Sequence, residues 1–366
     1  YSVSNQNGVV YNPLFVSKSN HRLTSYSPAR KAGRGGDDIG ALPYISDKTP
    51  TLQGKLHEDL VLAAGTHTVV GDLLVGVGAT LTLSPGATLQ LAESDKMEGG
   101  SNSGEAELIV EGTLQAVGSA SAKIAIEGSA AGGTFYGLRL LSGSSTTLRF
   151  AELRDAQRAI DSQGTFELSH SLVDGYDRGA IELRGGSGNV HHTLFTNNCR
   201  VSTSTRVIYL SSGTQVFDHN TVADNRCSYA VYLSTYATVQ NNIIVDNSTY
   251  GIYSTSYRTV QNNLLWRHTT NTYSVSNQNG VVYNPLFVSK TNLRITSLSP
   301  ARKAASDGSD LGALPYVADV TPTLQGKLVD PMTLGAGTHQ IAGDLIIAAG
   351  TTLTLSPGAR LQFAQT

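Results

Sequence analysis

Two carboxylates at equivalent positions of a repeated pattern are the residues best suited to chemistry. Asp161 and Glu182 each follow an isoleucine in a thread of strand-forming residues, 21 positions apart, and Arg158 and Arg184 are close to them. If the repeats stack at strand spacing, the two carboxyl groups lie about 4.8 Å apart. Two acids at that distance can divide the roles of general acid and general base. The alternative is a solvated surface pair neutralised by arginine, which the sequence favours.

Three tyrosines, Tyr209, Tyr232 and Tyr253, continue the same thread beyond the acids. A row of exposed aromatic rings either binds sugar rings or another chain, or forms a stacking ladder that stiffens the structure. Serine and threonine surround the row, as a glycan or protein contact requires. The ladder is the favoured prediction, and a binding face remains the alternative.

Five polar residues are predicted to share one stacked position, namely His170, His192, Asn220, Asn242 and Asn263. One hypothesis makes the two histidines metal ligands, but no cysteine or carboxylate falls at a matching offset to complete a site. The favoured hypothesis is a polar ladder, in which turn side chains bond to one another or to the backbone. The sequence therefore predicts neither a metal nor a cofactor.

The two cysteines fall at equivalent positions when NNC (197–199) is aligned with NRC (225–227). Stacked repeats would bring the Cα atoms of Cys199 and Cys227 to about 4.8 Å, which a disulfide tolerates. Two reduced thiols in a cytosolic protein are the alternative. We favour the disulfide, and with it an oxidising, extracellular setting.

Repetition at a long period organises the chain. Residues 1–94 recur as 273–366 with a shift of 272, and 64 of the 94 positions are identical. We therefore expect a slice of a longer tandem array. Its predicted parts are the closing coils of a preceding unit (1–48), one complete unit (49–320) and the opening coils of the next unit (321–366).

A shorter period of 21 to 27 residues runs inside the unit through Ile160, Ile181, Ile208, Val231 and Ile252. Short strand-forming runs at this spacing, separated by Asn, Asp, Ser and Gly, predict the coils of an all-β solenoid. Each coil, of about 21–23 residues, buries its apolar side only by stacking on the next. Roughly a dozen coils per unit would build a rod on the order of 60 Å long.

Several of these segments resemble the right-handed parallel β-helix proteins of the pectate-lyase-like superfamily. They are GDLLVGVGATLTLSPGATLQLA (71–92), ELIVEGTLQAVGSASAKIAIEG (107–128) and YNPLFVSKSNHRLTSYSPARKAG (11–33). The resemblance implies that fold, in the tandem-repeat form found in large bacterial secreted or surface proteins. The superfamily includes lyases, hydrolases, adhesins and spacers. In its enzymes, acids on such a surface attack glycosidic bonds, but the paired-Asp, Gly-His-Gly and Arg-x-Lys motifs of polygalacturonase-like enzymes are missing here.

Composition excludes some classes of protein. Lys and Arg total 26 against 28 Asp and Glu, so no basic excess favours nucleic-acid binding. The apolar segment 60–83 is rich in Gly, Val and Thr, which fits strands better than a membrane-spanning helix. The acidic, Gly/Ser-rich stretch 93–107 predicts a solvated loop.

The predicted function is non-enzymatic. Near-identical tandem copies add length and multiply weak contacts, which suits the shaft of a giant secreted or surface-anchored fibre or adhesin. The expected partners are further copies, end to end or side by side, and a cell-surface glycan. The alternatives are a polysaccharide lyase or hydrolase that uses Asp161 and Glu182, and a glycan-binding module that uses the tyrosine row.

Overall fold

The computed structural model describes residues 9–47, 51–129, 134–201, 205–319 and 322–364. These residues form 33 β-strands, and within the same ranges no helix has the length and hydropathy needed to cross a membrane. The predicted unit boundaries at 48/49 and 320/321 lie outside the described residues.

The strands follow one another at short intervals along the chain. The first eleven are β1 (Phe15–Ser17), β2 (Asn20–Leu23), β3 (Leu52–Leu56), β4 (Leu60–Leu62), β5 (Gly65–Val75), β6 (Thr80–Leu83), β7 (Ala87–Leu91), β8 (Glu107–Val110), β9 (Thr113–Val117), β10 (Ile124–Gly128) and β11 (Gly137–Leu140). The next eleven are β12 (Ser145–Arg149), β13 (Ala151–Arg154), β14 (Ile160–Ser162), β15 (Thr165–Ser169), β16 (Leu172–Asp174), β17 (Ile181–Leu183), β18 (Ser187–His191), β19 (Leu194–Thr196), β20 (Arg206–Leu210), β21 (Thr214–Asp218) and β22 (Thr221–Ala223). The last eleven are β23 (Tyr229–Leu233), β24 (Ala237–Gln240), β25 (Ile243–Val245), β26 (Tyr250–Gln261), β27 (Leu264–Trp266), β28 (Thr270–Gln278), β29 (Leu324–Leu328), β30 (Met332–Leu334), β31 (Gly337–Ile347), β32 (Leu353–Leu355) and β33 (Ala359–Phe363).

The strands β3 to β28 wind into a parallel solenoid with three faces. Sheet 1 stacks β3, the end of β5, β8, β11, β14, β17, β20, β23 and the starts of β26 and β28. Sheet 2 stacks β4, β6, β9, β12, β15, β18, β21, β24 and the ends of β26 and β28. Sheet 3 stacks the start of β5, β7, β10, β13, β16, β19, β22, β25 and β27. Every pairing within these sheets is parallel, because each coil runs in the same direction and places its strands next to the equivalent strands of the previous coil.

The core follows from strict alternation in the strands. In β7 and β10, for example, buried and half-buried residues alternate along the strand. Inward-facing Leu, Ile, Val and Phe form one continuous cluster that extends from Leu56 to Val275. No single coil could bury these side chains, so stacking is the source of the stability of the solenoid.

The turn from sheet 2 to sheet 3 holds one residue per coil in the left-handed backbone region. His170, His192, His219, Asn241 and Asn262 occupy this position, with φ between 49° and 59°. Asn and His are among the residues enriched in this conformation. The local sequence therefore sets where each coil bends.

Sheet 1 contains ten strands in the unit, fewer than the dozen coils predicted. The stack is therefore about 43 Å long at strand spacing. The difference arises because the closing segment of the unit forms no coil. In the first copy, β1 and β2 pair as an antiparallel hairpin, and residues 285–317 of the second copy fold back against the outside of sheet 3.

The second copy of the opening coils forms its own sheets. Strands β29, β31 and β33 pair with one another, as do β30 and β32, and none pairs with β28 within the described residues. Leu298, Leu324, Leu328, Leu334 and Ile341 form a separate apolar cluster. Both the sheets and the core are therefore interrupted between β28 and β29.

Candidate functional site

The outer face of sheet 1 carries most of the residues that the sequence singled out. One outward residue per coil falls in register along this column: Arg139, Asp161, Glu182, Tyr209, Tyr232, Tyr253 and Tyr273. The column is charged at the end formed by Arg139, Asp161 and Glu182, and it is aromatic from Tyr209 to Tyr273. Its straightness is a property of the parallel register, which repeats each position at every coil.

Arginine holds both acids of this column. The Arg158 guanidinium lies 2.6 Å from Glu182 Oε2, and Arg184 contacts Glu182 as well. Arg184 Nε also lies 3.3 Å from Asp161 Oδ1, so a single guanidinium bridges the two carboxylates. Glu182 is buried beneath these contacts. The structure therefore brings the predicted acid pair together as part of an arginine-rich ion network.

The two acids differ in their electrostatic environment. Burial raises the pKa of Asp161, Arg184 opposes this rise, and the neighbouring charge of Glu182 adds to it. Glu182 is held by two guanidinium groups, those of Arg158 and Arg184. An acid with a raised pKa beside a second carboxyl group can act as a general acid, provided that a substrate displaces the bridging arginine.

The tyrosines of the column stack on one another. Ring centroids of Tyr232 and Tyr253 are 4.9 Å apart with a 30° angle between planes, and those of Tyr253 and Tyr273 are 4.9 Å apart with a 7° angle. Tyr209 meets Tyr232 edge to face at 5.3 Å. Because the ring faces point along the solenoid axis, the inner rings present edges and hydroxyl groups to solvent. Stacking a sugar ring on them would require the ladder to open.

A second tyrosine row was missed by the sequence analysis. Tyr229 and Tyr250 stack at 5.2 Å and 7°, and Tyr229 meets Tyr232 edge to face at 5.1 Å. The repeated Tyr-x-x-Tyr at 229–232 and 250–253 was the available signal. Together the two rows form an interlocked aromatic surface rather than a single line.

Two further tyrosines leave their rings open to solvent. Tyr236, between β23 and β24, is 79% exposed, and Tyr257, within β26, is 71% exposed. The Arg258 guanidinium lies 4.1 Å from the Tyr236 ring centroid, and the Arg206 guanidinium lies 4.3 Å from that of Tyr209. These exposed rings, which the sequence analysis did not single out, are better placed for a flat ligand than Tyr209, Tyr232 and Tyr253. A glycan partner stays a prediction.

The single polar ladder predicted from the sequence is two ladders, displaced by one residue. His170, His192 and His219 stack with ring centroids 5.0 and 5.1 Å apart and nearly parallel planes. Asn220, Asn242 and Asn263 lie one residue later, level with Ser171 and Thr193. The error was one of register, since the histidine of Asp218-His219-Asn220, rather than the asparagine, occupies the position of His192.

The asparagine ladder satisfies buried backbone groups. Asn220 Oδ1 accepts a hydrogen bond from the Thr193 N–H at 3.0 Å, and its amide donates to the Val190 carbonyl oxygen at 2.9 Å. Another asparagine ladder, at the corner between sheets 3 and 1, contains Asn198, Asn225 and Asn247. Both are buried, and both supply the partners that buried turns need.

The histidines form a compact group of imidazoles. His191 Nδ1 lies 3.0 Å from His192 Nδ1, and His219 Nδ1 lies 2.8 Å from Asp218 Oδ1. Burial and the neighbouring imidazoles lower the pKa of His192 to about 4. Within the described ranges, no group of three His, Cys, Asp or Glu side chains is arranged to hold a metal ion.

The structure joins Cys199 and Cys227 in a disulfide, with Cα atoms 5.3 Å apart. Both residues are fully buried between neighbouring coils. The longer coil between them includes residues 202–204, which lie outside the described residues. The cross-link closes this coil onto the next.

The stretch 93–107, expected to be a solvated loop, is solvated only in part. Glu93 and Glu98 are exposed, whereas Asp95, Met97 and Glu107 are buried. Asp95 accepts hydrogen bonds from the N–H groups of Met97 and Gly99 at 2.7 and 2.8 Å. The expectation fails for Asp95 and Glu107, because these two acids serve backbone donors of this segment instead of facing water.

Comparison with known families identifies the central coils. Residues 121–287 match the family described as right handed beta helix region. No curated protein sequence matches the chain. The match and the long parallel sheet make this an all-β protein built around a right-handed parallel β-helix. The family includes both enzymes and non-enzymes, and the matched residues contain the acids, the tyrosine rows and the ladders.

Proposed function

We propose that the chain is a structural unit of a tandem array, forming the rigid shaft of an extracellular fibre or adhesin. A single observation carries the proposal. The closing segment occurs twice in the chain: its second copy covers a sheet, whereas its first copy leaves apolar residues exposed. The β-helix itself is compatible with many roles, so the argument rests on the closing segment.

The closing segment of the second copy, residues 285–317, covers the outer face of sheet 3. That face is apolar along β22, β25 and β27, where Ala223, Ile243, Val245 and Leu264 point outward. Leu293, Ile295, Ala301 and Leu311 pack against them in one cluster. Burial of this area contributes on the order of 25 cal/mol per Å².

Hydrogen bonds fix the position of the closing segment on the sheet. The Gly312 N–H donates to the Asn241 carbonyl oxygen at 2.9 Å, and the Ser306 N–H donates to Asn241 Oδ1 at 2.9 Å. The Asn262 amide donates to the carbonyl oxygen of Ala304 at 3.0 Å. The closing segment is therefore held in place by hydrogen bonds to Asn241 and Asn262, which lie in turns of the solenoid.

In the first copy of the segment, residues 13–47, part of the same face is exposed to solvent. Ile39 is 46% exposed, whereas its counterpart Leu311 is fully buried. Leu23 and Ala29, the counterparts of Ile295 and Ala301, stay buried within the segment, and His21 replaces Leu293. An exposed apolar face of this kind usually marks an interaction site. The proposed occupant is sheet 3 of a preceding copy of the unit, because the second copy displays that contact within the chain.

The first copy of the segment, with Asn12 just before it, also contacts the coils that follow it in the chain. Asn12 donates its backbone N–H to the Met97 carbonyl oxygen at 3.1 Å, and the Lys55 N–H donates to the Tyr26 carbonyl oxygen at 2.7 Å. Residues 9–47 would therefore clasp two successive units, the preceding one through Ile39 and the following one through Asn12. Such a clasp explains how units connect although their cores are separate.

An extracellular location, further copies side by side and contact with other cells belong to the same proposal. The Cys199–Cys227 disulfide supports an oxidising compartment. The ionic and aromatic outer face of sheet 1 is available for lateral or glycan contacts, with Tyr236 and Tyr257 the most exposed of its rings.

Electron microscopy of the native, full-length product tests the proposal. We expect long filaments of uniform width with an axial repeat of roughly 45–60 Å, from ten coils at strand spacing plus the joint. Compact particles without a polymer would overturn it. Counting chains in cross-section would separate a single shaft from a lateral bundle.

A polysaccharide lyase or hydrolase is the second candidate function. The observation that favours it is the raised pKa of Asp161 beside the arginine-bound Glu182. Turnover of polysaccharides should then disappear in Asp161→Asn and Glu182→Gln and persist in Asp174→Asn, a matched acid paired with Arg154 on sheet 3. Equal activity in all three variants, or none in the native chain, would eliminate this candidate.

A further inference from the structure

Three buried carboxylates meet where the start of the chain crosses the opening coils. Asp72, Asp95 and Glu107 are respectively 1%, 8% and 0% exposed. They lie in β5, the corner 93–106 and the start of β8. Burying three acids so close together is costly unless each finds a partner for its charge.

Two of the three acids are well supplied with donors. Asp95 Oδ1 accepts the N–H of Asp72 at 2.9 Å, in addition to its bonds from Met97 and Gly99. Glu107 accepts the N–H of Ser101 at 3.0 Å and a guanidinium N–H of Arg139 at 3.2 Å. Both carboxylates therefore accept hydrogen bonds from groups of their own, although burial raises the pKa of Glu107.

Asp72 is different. Its Oδ1 accepts the Glu107 N–H at 2.8 Å, but its buried Oδ2 has no hydrogen-bond partner among the described residues. A Cβ placed at Gly100 would lie 2.7 Å from Asp72 Oδ2 and closer still to Glu107 Oε2. The two carboxyl oxygens thus converge over one glycine, where an L-residue with φ of +65° and a side chain would not fit.

Among the described residues, Arg139 and Lys55, the cations shown beside Asp72, are both paired. Arg139 is bound to Glu107, and Lys55, which lines the same small cavity, is paired with Glu111 at 3.0 Å. Burial, and then the charge of Asp95, raise the pKa of Asp72 to about 8. A protonated Asp72 carries a hydroxyl at its unpartnered oxygen, on the side where Glu107 Oε2 also approaches Gly100.

We propose that a proton shared between Asp72 Oδ2 and Glu107 Oε2 latches the segment 9–14 onto the opening coils. The segment lies directly on this cluster. Asn12 bonds to the carbonyl oxygens of Lys96 and Met97 at 3.3 and 3.1 Å, and the Tyr11 ring packs against Gly99. Loss of the proton to water leaves two facing carboxylates, whose repulsion separates the corner from the segment that covers it.

The sign of the pH effect follows from the raised pKa. The closed latch holds a proton that a solvated Asp72 would release near pH 4, so closure is strongest at low pH. The opening constant rises by at most tenfold per pH unit as pH increases towards about 8, and then levels off. The raised pKa of Tyr11, due to burial and then to Asp72, keeps that hydroxyl neutral over this range.

The second copy supplies a matched control. Asp344 occupies the repeat position of Asp72, in the same Gly-Asp-Leu sequence, but it is exposed. Asp72→Asn should keep the latch closed at all pH values, because the amide donates to Glu107 without titrating. Asp344→Asn should behave like the native chain.

Hydrogen exchange of the 366-residue chain measures the latch. Protection factors of peptides covering 9–14 and 95–102, corrected for intrinsic exchange rates, are compared at half-unit steps from pH 5.5 to pH 9. We expect protection to fall by at least tenfold up to pH 8 in the native chain and in D344N, and to stay level in D72N. Glu107→Gln should also be level, which covers the case in which D72N does not fold.

Three results would overturn the proposal. They are an unchanged pH dependence in both D72N and E107Q, a flat profile in the native chain, and a profile abolished by 1 mM Ca²⁺, which would place a cation where we place a proton. The latch is inferred independently of the fibre. Its failure would leave the tandem array untouched, and compact particles in the microscope would not affect these exchange profiles.

Discussion

Residues 9–47 and 281–319 are two copies of one sequence, and they differ in what they cover. Leu311 lies at the centre of a cluster with Ile243 and Leu264, whereas its counterpart Ile39 faces solvent. The hydrogen-bonding corner around Arg30 and Glu58 recurs as Arg302 and Asp330. The local fold of the segment is therefore intrinsic, and its burial depends on the coils beside it.

The opening coils show the reverse contrast. Leu83 is 2% exposed in the first copy and its counterpart Leu355 is 45% exposed in the second. The difference arises because β6 is sandwiched between β4 and β9, while β32 pairs only with β30. In a solenoid a residue becomes core only when a further coil covers it.

The largest effect is expected from a charge under the closing segment. Leu311→Asp should destabilise the chain by about 4–5 kcal/mol, since it buries an unpaired carboxylate, whereas Ile39→Asp should change stability by less than about 0.5 kcal/mol. Thermal unfolding of both variants measures this. Equal losses would mean that the two copies are equivalently buried in solution.

A smaller effect is expected from cavities in the opening coils. Leu83→Ala should cost about 2–5 kcal/mol, and Leu355→Ala less than about 1 kcal/mol, because only the first leaves an enclosed void. Urea unfolding monitored by circular dichroism compares them. A large loss in Leu355→Ala would show that this surface is covered in solution.

Acid should loosen the cover that residues 285–317 form over sheet 3. The pKa of His192 is lowered to about 4, so the folded state binds fewer protons than the unfolded state between pH 6.5 and pH 4. Stability therefore falls as pH decreases through this window, by at most about 3 kcal/mol before solvent screening reduces the effect. Hydrogen exchange should show early release of 313–315, which lies beside His170 and His192. Burial also lowers the pKa of His57, which bonds to the Ser27 carbonyl oxygen, so acid acts on the first copy through a different imidazole.

The matched variant is His192→Asn, since asparagine occupies the same left-handed turn position at Asn241 and Asn262. It should remove most of this acid sensitivity. Unchanged early release of 313–315 in this variant would mean that the imidazole stack is not the cause.

The smallest effect is expected from a single turn side chain. Asn241→Gly keeps the left-handed backbone but removes the side-chain bonds to Ser306, at a cost of about 1–2 kcal/mol. Exchange protection should drop in 285–317 only. Asn262→Gly, which removes one bond to Ala304, should produce a smaller loss.

Much of the solenoid was predictable from the sequence. The thread from Ile160 to Ile252 marks residues that the structure places in register on sheet 1. Asp161 and Glu182 are neighbours for the same reason, since identical positions of successive coils must stack. Periodicity reveals such relations because a parallel coil repeats every contact at a fixed interval.

The failures share one cause. The position of His219 depends on a one-residue register that the Asp-His-Asn string does not reveal. The corner 93–107 looks uniformly polar, although Asp95 and Glu107 are buried and bonded to backbone donors. The face-to-face packing of Tyr232 and Tyr253 likewise depends on ring rotation. Composition records which groups are present but not which partner each one meets.

By itself the sequence determined the parallel solenoid, its repeat of 272 residues and the residues that share a column. These follow from periodicity, which is a one-dimensional property. Only the tertiary structure decided that the closing segment folds against sheet 3 instead of forming coils, and that Ile39 and Leu311 differ in exposure. Burial depends on neighbours from distant parts of the chain, so two similar segments can adopt the same local fold and differ in what they bind.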